Sequence, residues 1–143
     1  MNWTIKTFDE LTGKEIYEIL RSRAEVFVKE QRISYVDPDG IDYKSWHVFA
    51  TENDKVCAYL RAFKDGEDTI KIGRVLTLIH GKGTGTQLMK YAISELKAKT
   101  GCRKIIMDAQ SHAISFYHRL GFTITSEEYL EECIPHVDME ITL

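Results

Sequence analysis

The stretch of the chain best suited to binding a ligand is a glycine-rich turn, His80-Gly-Lys-Gly-Thr-Gly, between a strand-like segment and an amphipathic helix. Glycines at alternate positions let successive backbone N–H groups point into one concavity without interference from Cβ atoms. The start of the helix adds unpaired N–H groups and the positive end of the helix dipole. Such a turn predicts a site for a phosphate or diphosphate, to which Lys82 adds charge.

The spacing of the glycines excludes two familiar phosphate sites. A Walker A loop needs Ser or Thr after its Lys, whereas Gly83 follows Lys82. A dinucleotide fingerprint that starts at Gly81 needs a third glycine at the position of Thr86. Three alternating glycines also exceed what a tight turn requires. The remaining pattern is a phosphate-binding turn that opens a long helix after antiparallel strands.

The elements around this turn predict a mixed α and β domain. Turn-forming pairs, Asn53-Asp54 and Asp65-Gly66, separate three strand-like stretches, as in an antiparallel meander. A later strand–helix–strand unit requires a crossover and therefore one parallel pair. We expect a single α+β domain of residues 1–143, with a mostly antiparallel sheet. The strand-like stretches are 3–8, 46–52, 56–63, 69–78, 104–109, 122–125 and 137–142.

Three helices are predicted between these strands. The first begins after Thr12, which has the spacing of a capping box with Glu15. The second opens at the glycine-rich turn and ends at Gly101, and Ser111 is expected to cap the third. The apolar face of the first helix comprises Ile16, Ile19, Leu20 and Ala24, continued by Phe27. That of the second comprises Leu88, Met89, Ala92, Ile93 and Leu96.

Composition narrows the classes of protein. The formal net charge of −3 argues against general binding to the phosphate backbone of nucleic acid. Three cysteines without a close pair argue against a disulfide framework and for a reducing, cytoplasmic compartment. The first residues lack the pattern of a signal peptide, and no apolar run is long enough to predict a membrane span.

Four stretches of the chain together resemble the GNAT superfamily of acyl-CoA-dependent N-acetyltransferases, and within it the ElaA-like branch. His80 stands where that superfamily usually has Gln or Arg. The resemblance covers nearly the whole chain. The stretches are the turn His80-x-x-Gly83-x-Gly85, the segment Phe116-Tyr-His-Arg-Leu-Gly-Phe122, the segment Arg23-Ala-Glu-Val-Phe-Val-Lys-Glu-Gln31, and Gln110 with Glu128-Tyr-Leu-Glu-Glu-Cys-Ile-Pro-His-Val-Asp-Met139.

The resemblance implies direct transfer of an acetyl group from acetyl-CoA to a primary amine of a small molecule or peptide. The resemblance also implies helices on both faces of the sheet and a parallel strand pair that splays apart. Dimers are frequent in the superfamily, so a homodimer is among the expected states. A non-catalytic acyl-CoA-binding module and an interaction protein without a cofactor remain alternatives. The residues implied to bind the cofactor are Val75, Leu76, Thr77, His80, Gly81, Lys82, Gly83, Thr84, Gly85, Thr86, Gln110 and Phe116.

The same resemblance makes Tyr117 the candidate acid that protonates the departing thiolate, although a core aromatic fits the pattern as well. Glu30 and His136 are the candidate bases for the amine, against a solvated carboxylate and a structural histidine. His47 and Asp108 are weaker candidates. A covalent route through Cys133 is disfavoured because no third residue is apparent to orient a nucleophile.

The acceptor amine is not specified by the sequence. Glu127, Glu128, Glu131 and Glu132 form an acidic run, and an acidic turn holds Asp37, Asp39 and Asp42. Either group could attract a cationic amine. We expect them instead to lie in solvated loops and at helix ends, where charged runs are usually found.

Overall fold

A single eight-stranded sheet organises the computed structural model, which describes all residues 1–143. The strand order is β1-β2-β3-β4-β5-β8-β6, and β7 pairs with β8 beyond the end of β6. Only β4 and β5 are parallel, so the predicted architecture is confirmed. The strands are β1 (Asn2–Thr7), β2 (Trp46–Glu52), β3 (Lys55–Lys64), β4 (Thr69–Thr77), β5 (Lys104–Gln110), β6 (Thr123–Ile124), β7 (Tyr129–Glu131) and β8 (Ile134–Thr142).

Helices cover both faces of the sheet. On one face α2 and α3 pack over the larger apolar core, and on the other α1 and a following π-helix cover a smaller one. None of the helices combines the length and apolar character needed to cross a membrane. The helices are α1 (Gly13–Arg23), the π-helix Ala24–Glu30, α2 (Thr84–Thr100) and α3 (Ile114–Arg119).

The predicted helix ends are confirmed for α1 and α2. Thr12 accepts a hydrogen bond from the Glu15 N–H at 3.1 Å, and the Glu15 carboxylate accepts one from the Thr12 N–H at 2.9 Å. Gly101 ends α2 in the left-handed region, with a φ of 66°. Ser111 was predicted as the cap of α3, and this is wrong. It begins a 3₁₀ turn instead, and its hydroxyl donates to Glu128.

The buried face predicted for the first helix is wrong at its C-terminal end. Ala24 is exposed, whereas the neighbouring Arg23 is completely buried. The cause is the α-helical spacing itself, because Arg23 follows Ile16, Ile19 and Leu20 by seven, four and three residues and so takes the centre of their face, with Ala24 to its side. Val26 and Phe27 still reach the smaller core.

Arg23 is buried because aspartates of the loop after the π-helix neutralise it. Its Nε donates to Asp37 at 2.9 Å, and its Nη1 donates to Asp42 at 2.7 Å. Its Nη2 donates to the Asp37 backbone carbonyl at 2.9 Å. The expectation that Asp37 and Asp42 are solvated is therefore wrong. They tie the loop to α1.

We predict that Arg23→Ala lowers the free energy of unfolding by about 3–5 kcal/mol, because it removes a fully buried member of the ion-pair network and takes one of two arginine partners from both Asp37 and Asp42. Arg21→Ala is the matched control on the same helix. Arg21 pairs with Glu18 and Glu25 at the surface, and its loss should cost less than about 1 kcal/mol. Urea denaturation of both variants measures the difference, and equal losses would contradict the prediction.

Candidate active site

A cleft opens where the parallel strands separate. β4 and β5 pair from Thr69 and Lys104 as far as Ile72 and Met107, and no farther. Beyond that point the β5-facing backbone groups of β4 have no partner in the ladder. The cleft that results has a volume of about 490 Å³ and is lined by residues of β3, β4, β5, the π-helix, α3 and the β7–β8 turn. The implied splayed pair is present.

A β-bulge interrupts β4 at the mouth of this gap. Gly73 lies opposite Arg61 and Leu76 lies opposite Tyr59, so two residues of β4 face one residue of β3 between them. Arg74, the first of the two, has a φ of 53° in the left-handed region. That conformation costs a non-glycine residue roughly 1 kcal/mol or more, so other contacts must hold it.

The side chain of Arg74 supplies those contacts. Its Nε donates to the Asp37 carboxylate at 2.8 Å, and its Nη2 donates to the Asp37 carbonyl at 3.0 Å. Its guanidinium lies 5.2 Å from the centre of the Tyr35 ring, within range of a cation–π interaction. The bulge is therefore anchored to the loop that also binds Arg23.

A third arginine completes this network on the floor of the cleft. Arg61 is nearly buried and donates to both carboxylate oxygens of Asp39, at 2.7 and 2.8 Å, and to Asp42 at 3.1 Å. Its Nε is the one buried side-chain polar atom without a hydrogen-bond partner. The hydrogen bond from Arg61 lowers the pKa of Asp39 to about 2, so this partly exposed carboxylate is fully ionised at neutral pH.

The glycine-rich turn presents free backbone donors. No protein acceptor pairs with the N–H groups from Gly81 to Thr86. Gly81 and Gly83 have φ values of 76° and 71°, which favour glycine, and Gly83 is the N-cap of α2. A Cβ on Gly85 would lie 3.3 Å from the Phe116 ring, so α3 packs tightly against the start of α2. His80 and Lys82 are exposed, and the cup is open to a ligand.

Tyr117 lies on α3 and lines the cleft. It is 7% exposed, and its ring packs edge-on against Phe116 and Phe122. Its hydroxyl forms no hydrogen bond within the protein, and burial raises the pKa of Tyr117 to about 12. The phenol is consequently protonated at neutral pH and able to donate. Both descriptions of this residue apply, since it is a core aromatic that also reaches the cleft.

His136 lies on β8 and also lines the cleft. Its Nδ1 lies 2.7 Å from the Ile134 carbonyl. Because a carbonyl can only accept, Nδ1 carries the proton, and the lone pair of the neutral ring is on Nε2. That nitrogen lies 3.4 Å from the Glu131 carboxylate, and the ring stacks on Tyr129. The bond from Nδ1 leaves Nε2, beside Glu131, as the ring nitrogen that can exchange a proton.

The other candidate bases lie elsewhere or are engaged. Glu30 is exposed at the end of the π-helix and does not line the cleft. His47 is buried away from it, and its two ring nitrogens bond to Tyr59 and to the Asp42 carbonyl. Asp108 lines the cleft but pairs with Lys71 at 3.1 Å. Cys133 is exposed in the β7–β8 turn, outside the cleft lining.

A short segment after the π-helix crosses the cleft. Gln31 and Gln110 exchange two amide hydrogen bonds, at 3.0 and 3.3 Å, which occupies the predicted cofactor residue Gln110 at the end of β5. Ser34 donates to Glu132 of the β7–β8 turn, and Tyr35 packs on Arg74. We call residues 31–37 the crossing segment.

The remaining predicted cofactor residues occupy two places along one path. Val75 lines the cleft, Leu76 turns into the smaller core, and Thr77 approaches Gly85 from the end of β4. The glycine-rich turn and Phe116 follow directly beyond them. The path therefore runs from the free amides of the turn into the gap between β4 and β5.

The sequence analysis did not identify Arg61, Arg74 or Gly73 as parts of the site. A signal was available for Arg61, because it interrupts a strand that is otherwise apolar and buried between its ends. Such a charge predicts a buried counter-charge elsewhere in the chain. Arg74 carried no such signal, because polar and apolar residues alternate in β4. Gly73 carried a weaker signal, a glycine in the interior of a strand.

Comparison with known proteins agrees with this geometry. A family model described as "Acetyltransferase (GNAT) domain" matches residues 16–143. An acyl-CoA N-acyltransferase structure from Pseudomonas aeruginosa superposes with a TM-score of 0.89 at 36% identity, and Escherichia coli ElaA with 0.92 at 32%, each over 99% of both chains. A UPF0039 protein of Schizosaccharomyces pombe is 35% identical over 100% of this chain and 98% of its own length.

We predict that the Asp39 carboxyl titrates with a midpoint of about 2 in the folded protein. Since this folded-state pKa lies below the unfolded value of roughly 3.9, Asp39 contributes stability above that value and loses it as the pH falls through about 2. Carbon-13 NMR of the side-chain carboxyl measures the midpoint. Arg61→Gln should move it upward, and an unchanged midpoint would rule out Arg61 as the cause.

Proposed function

The chain belongs to the GNAT acetyltransferase family and is thereby an acyl-CoA-dependent acyltransferase, and from that premise we propose that it moves an acetyl group from acetyl-CoA to a primary amine of a small molecule or peptide. The observation that supports this best is the separation of β4 from β5 beside a turn with free amides. A homodimer and a cytoplasmic location stay predictions.

The glycine-rich turn is suited to the diphosphate of the cofactor. Six consecutive backbone N–H groups lack a protein acceptor, and the positive end of α2 lies among them. Lys82 adds a mobile positive charge. The pantetheine arm would then extend along the unpaired edge of β4 at Val75 to Thr77 and place the thioester near the bulge. Backbone N–H groups there would stabilise negative charge that develops on the carbonyl oxygen.

The acceptor amine must lose protons to react. A primary amine with a pKa of roughly 10.4 is mostly an ammonium ion at neutral pH. His136 is the better-placed base, because its Nε2 lone pair is fixed by the bond from Nδ1 to Ile134. The Glu131 carboxylate lies 3.4 Å from Nε2. Glu30 would have to act from outside the cleft.

The transfer balances without a further reactant. The amine nitrogen attacks the thioester carbonyl, a C–N bond forms, and the C–S bond breaks with its electron pair on sulfur. His136 takes a proton from nitrogen, and Tyr117 donates one to the thiolate. The products are the amide and free CoA thiol, and the imidazolium and phenolate return to their starting states by exchange with solvent.

We predict that the protein releases CoA thiol from acetyl-CoA when it meets a panel of ethanolamine, putrescine, benzylamine and Nα-acetyl-lysine. Gly85→Val should weaken CoA binding by about tenfold or more, because the side chain collides with Phe116 and displaces the start of α2, which carries the free amides. Thiol release and calorimetric titration with CoA measure the two effects. CoA binding without thiol release on any amine would indicate a non-catalytic module, and no CoA binding would overturn the proposal.

We predict that His136→Asn lowers kcat by about 10²–10⁴ at neutral pH with little change in the KM for acetyl-CoA. Raising the pH toward the pKa of the acceptor should restore part of the rate, since the free amine no longer needs a base. His118→Asn on the exposed side of α3 is the matched control and should keep wild-type rates. A His136→Asn enzyme with normal kcat would exclude His136 as the base.

A further inference from the structure

In β4, the residue with the left-handed backbone conformation is not the glycine but the residue next to it. The left-handed conformation of the bulge falls on Arg74, with a φ of 53°, whereas its neighbour Gly73 has an ordinary φ that any residue adopts. The backbone therefore requires no glycine at position 73. Glycine in the interior of a strand also weakens the strand, so it calls for another explanation.

Packing does not explain Gly73 either. A Cβ built there would meet no atom within 4 Å apart from its chain neighbours. Gly85 is different, because its Cβ would meet the Phe116 ring at 3.3 Å. The space above Gly73 belongs to the cleft, which it lines together with Arg61 and Lys71 on the same face of the sheet. A side chain at position 73 would enter only the open volume of the cleft.

The face of the sheet on which Gly73 lies indicates whether the open space over it is for the cofactor or for the acceptor. Gly73 lies on the face that carries the π-helix, the crossing segment and the Arg61–Asp39 pair. The glycine-rich turn and Phe116 belong to the opposite layer, with α2 and α3. In the proposed acetyl transfer, the cofactor would reach the bulge from that layer. The open space over Gly73 is thus left for the group that approaches from the other face.

We propose that Gly73 is a specificity-determining residue for the acceptor. The carbon atom bonded to the attacking nitrogen of the acceptor passes over the Cα of Gly73. The inference rests on the proposed acetyl transfer and adds where the acceptor lies. The absent side chain lets an unbranched primary amine reach the thioester beside the bulge. Arg74 is anchored by Asp37 and Tyr35, so the bulge keeps its form when position 73 is changed.

Gly73→Ala tests this, because its effects on stability and on acceptor use should have opposite signs. We expect an equal or higher Tm, since alanine fits the backbone and restricts the unfolded chain. We expect the KM for the best amine of the panel to rise by about tenfold or more, with the KM for acetyl-CoA unchanged. Gly13→Ala is the matched control. Gly13 likewise has an ordinary φ and open space, but it begins α1 far from the cleft.

The possible outcomes distinguish a failure of the role of Gly73 from a failure of the proposed acetyl transfer. Acceptor KM values for Gly73→Ala equal to those of wild type and of Gly13→Ala would overturn the role of Gly73 and leave the acetyl transfer intact. A rise in the KM for acetyl-CoA instead would assign the open space to the cofactor and also overturn it. Absence of thiol release from the wild-type protein would overturn the proposed function, and this inference with it.

Discussion

The separation of β4 from β5 is the constraint on which the rest of the site depends. Backbone N–H and C=O groups in a sheet need partners, and the pairing of these strands ends after Ile72 and Met107 although both strands continue. The groups left over face a cleft rather than a neighbouring strand. A ligand with an extended amide-bearing arm can satisfy them, which makes the gap a template for binding rather than a packing defect.

A charged network of three arginines and three aspartates holds the β4 wall of the gap in place. Arg23, Arg61 and Arg74 come from α1, β3 and the bulge of β4, whereas all three aspartates come from one loop of six residues. Desolvation makes such pairs a weak source of net stability, but removal of one member is costly. The network therefore contributes mainly to geometry, because it fixes the loop and the bulge relative to the sheet.

Seven of the eight strands, the caps at Thr12 and Gly101 and the glycine-rich turn could be predicted because their signals are local. Thr12 with Glu15 and Gly101 act on their own helix ends, and the turns after β2 and β3 are short. What failed depends on distant parts of the chain. Asp37 looked solvated because its arginine partners lie 14 and 37 residues away. Ala24 was chosen for the buried face in place of Arg23, whose neutralising aspartates lie 14 and 19 residues away.

Candidate site residues divide in the same way. The free amides of the turn follow from local glycine spacing. His136 was singled out through a resemblance to a family. The tautomer that lets it act as a base depends on its bond to the Ile134 carbonyl, which only the structure shows. Gly73 has no local signal beyond its residue type. Its meaning appears only when the bulge is seen to place the left-handed residue one position later.

The crossing segment has an energetic consequence of its own. Gln31, Ser34 and Tyr35 reach β5, the β7–β8 turn and the β4 bulge from a single stretch of backbone only seven residues long, residues 31–37. The conformational entropy of that stretch is lost once and shared by all three contacts. The first contact to form bears most of that entropic cost and the later ones little, so double-mutant cycles among them would return large coupling energies although the side chains do not touch one another.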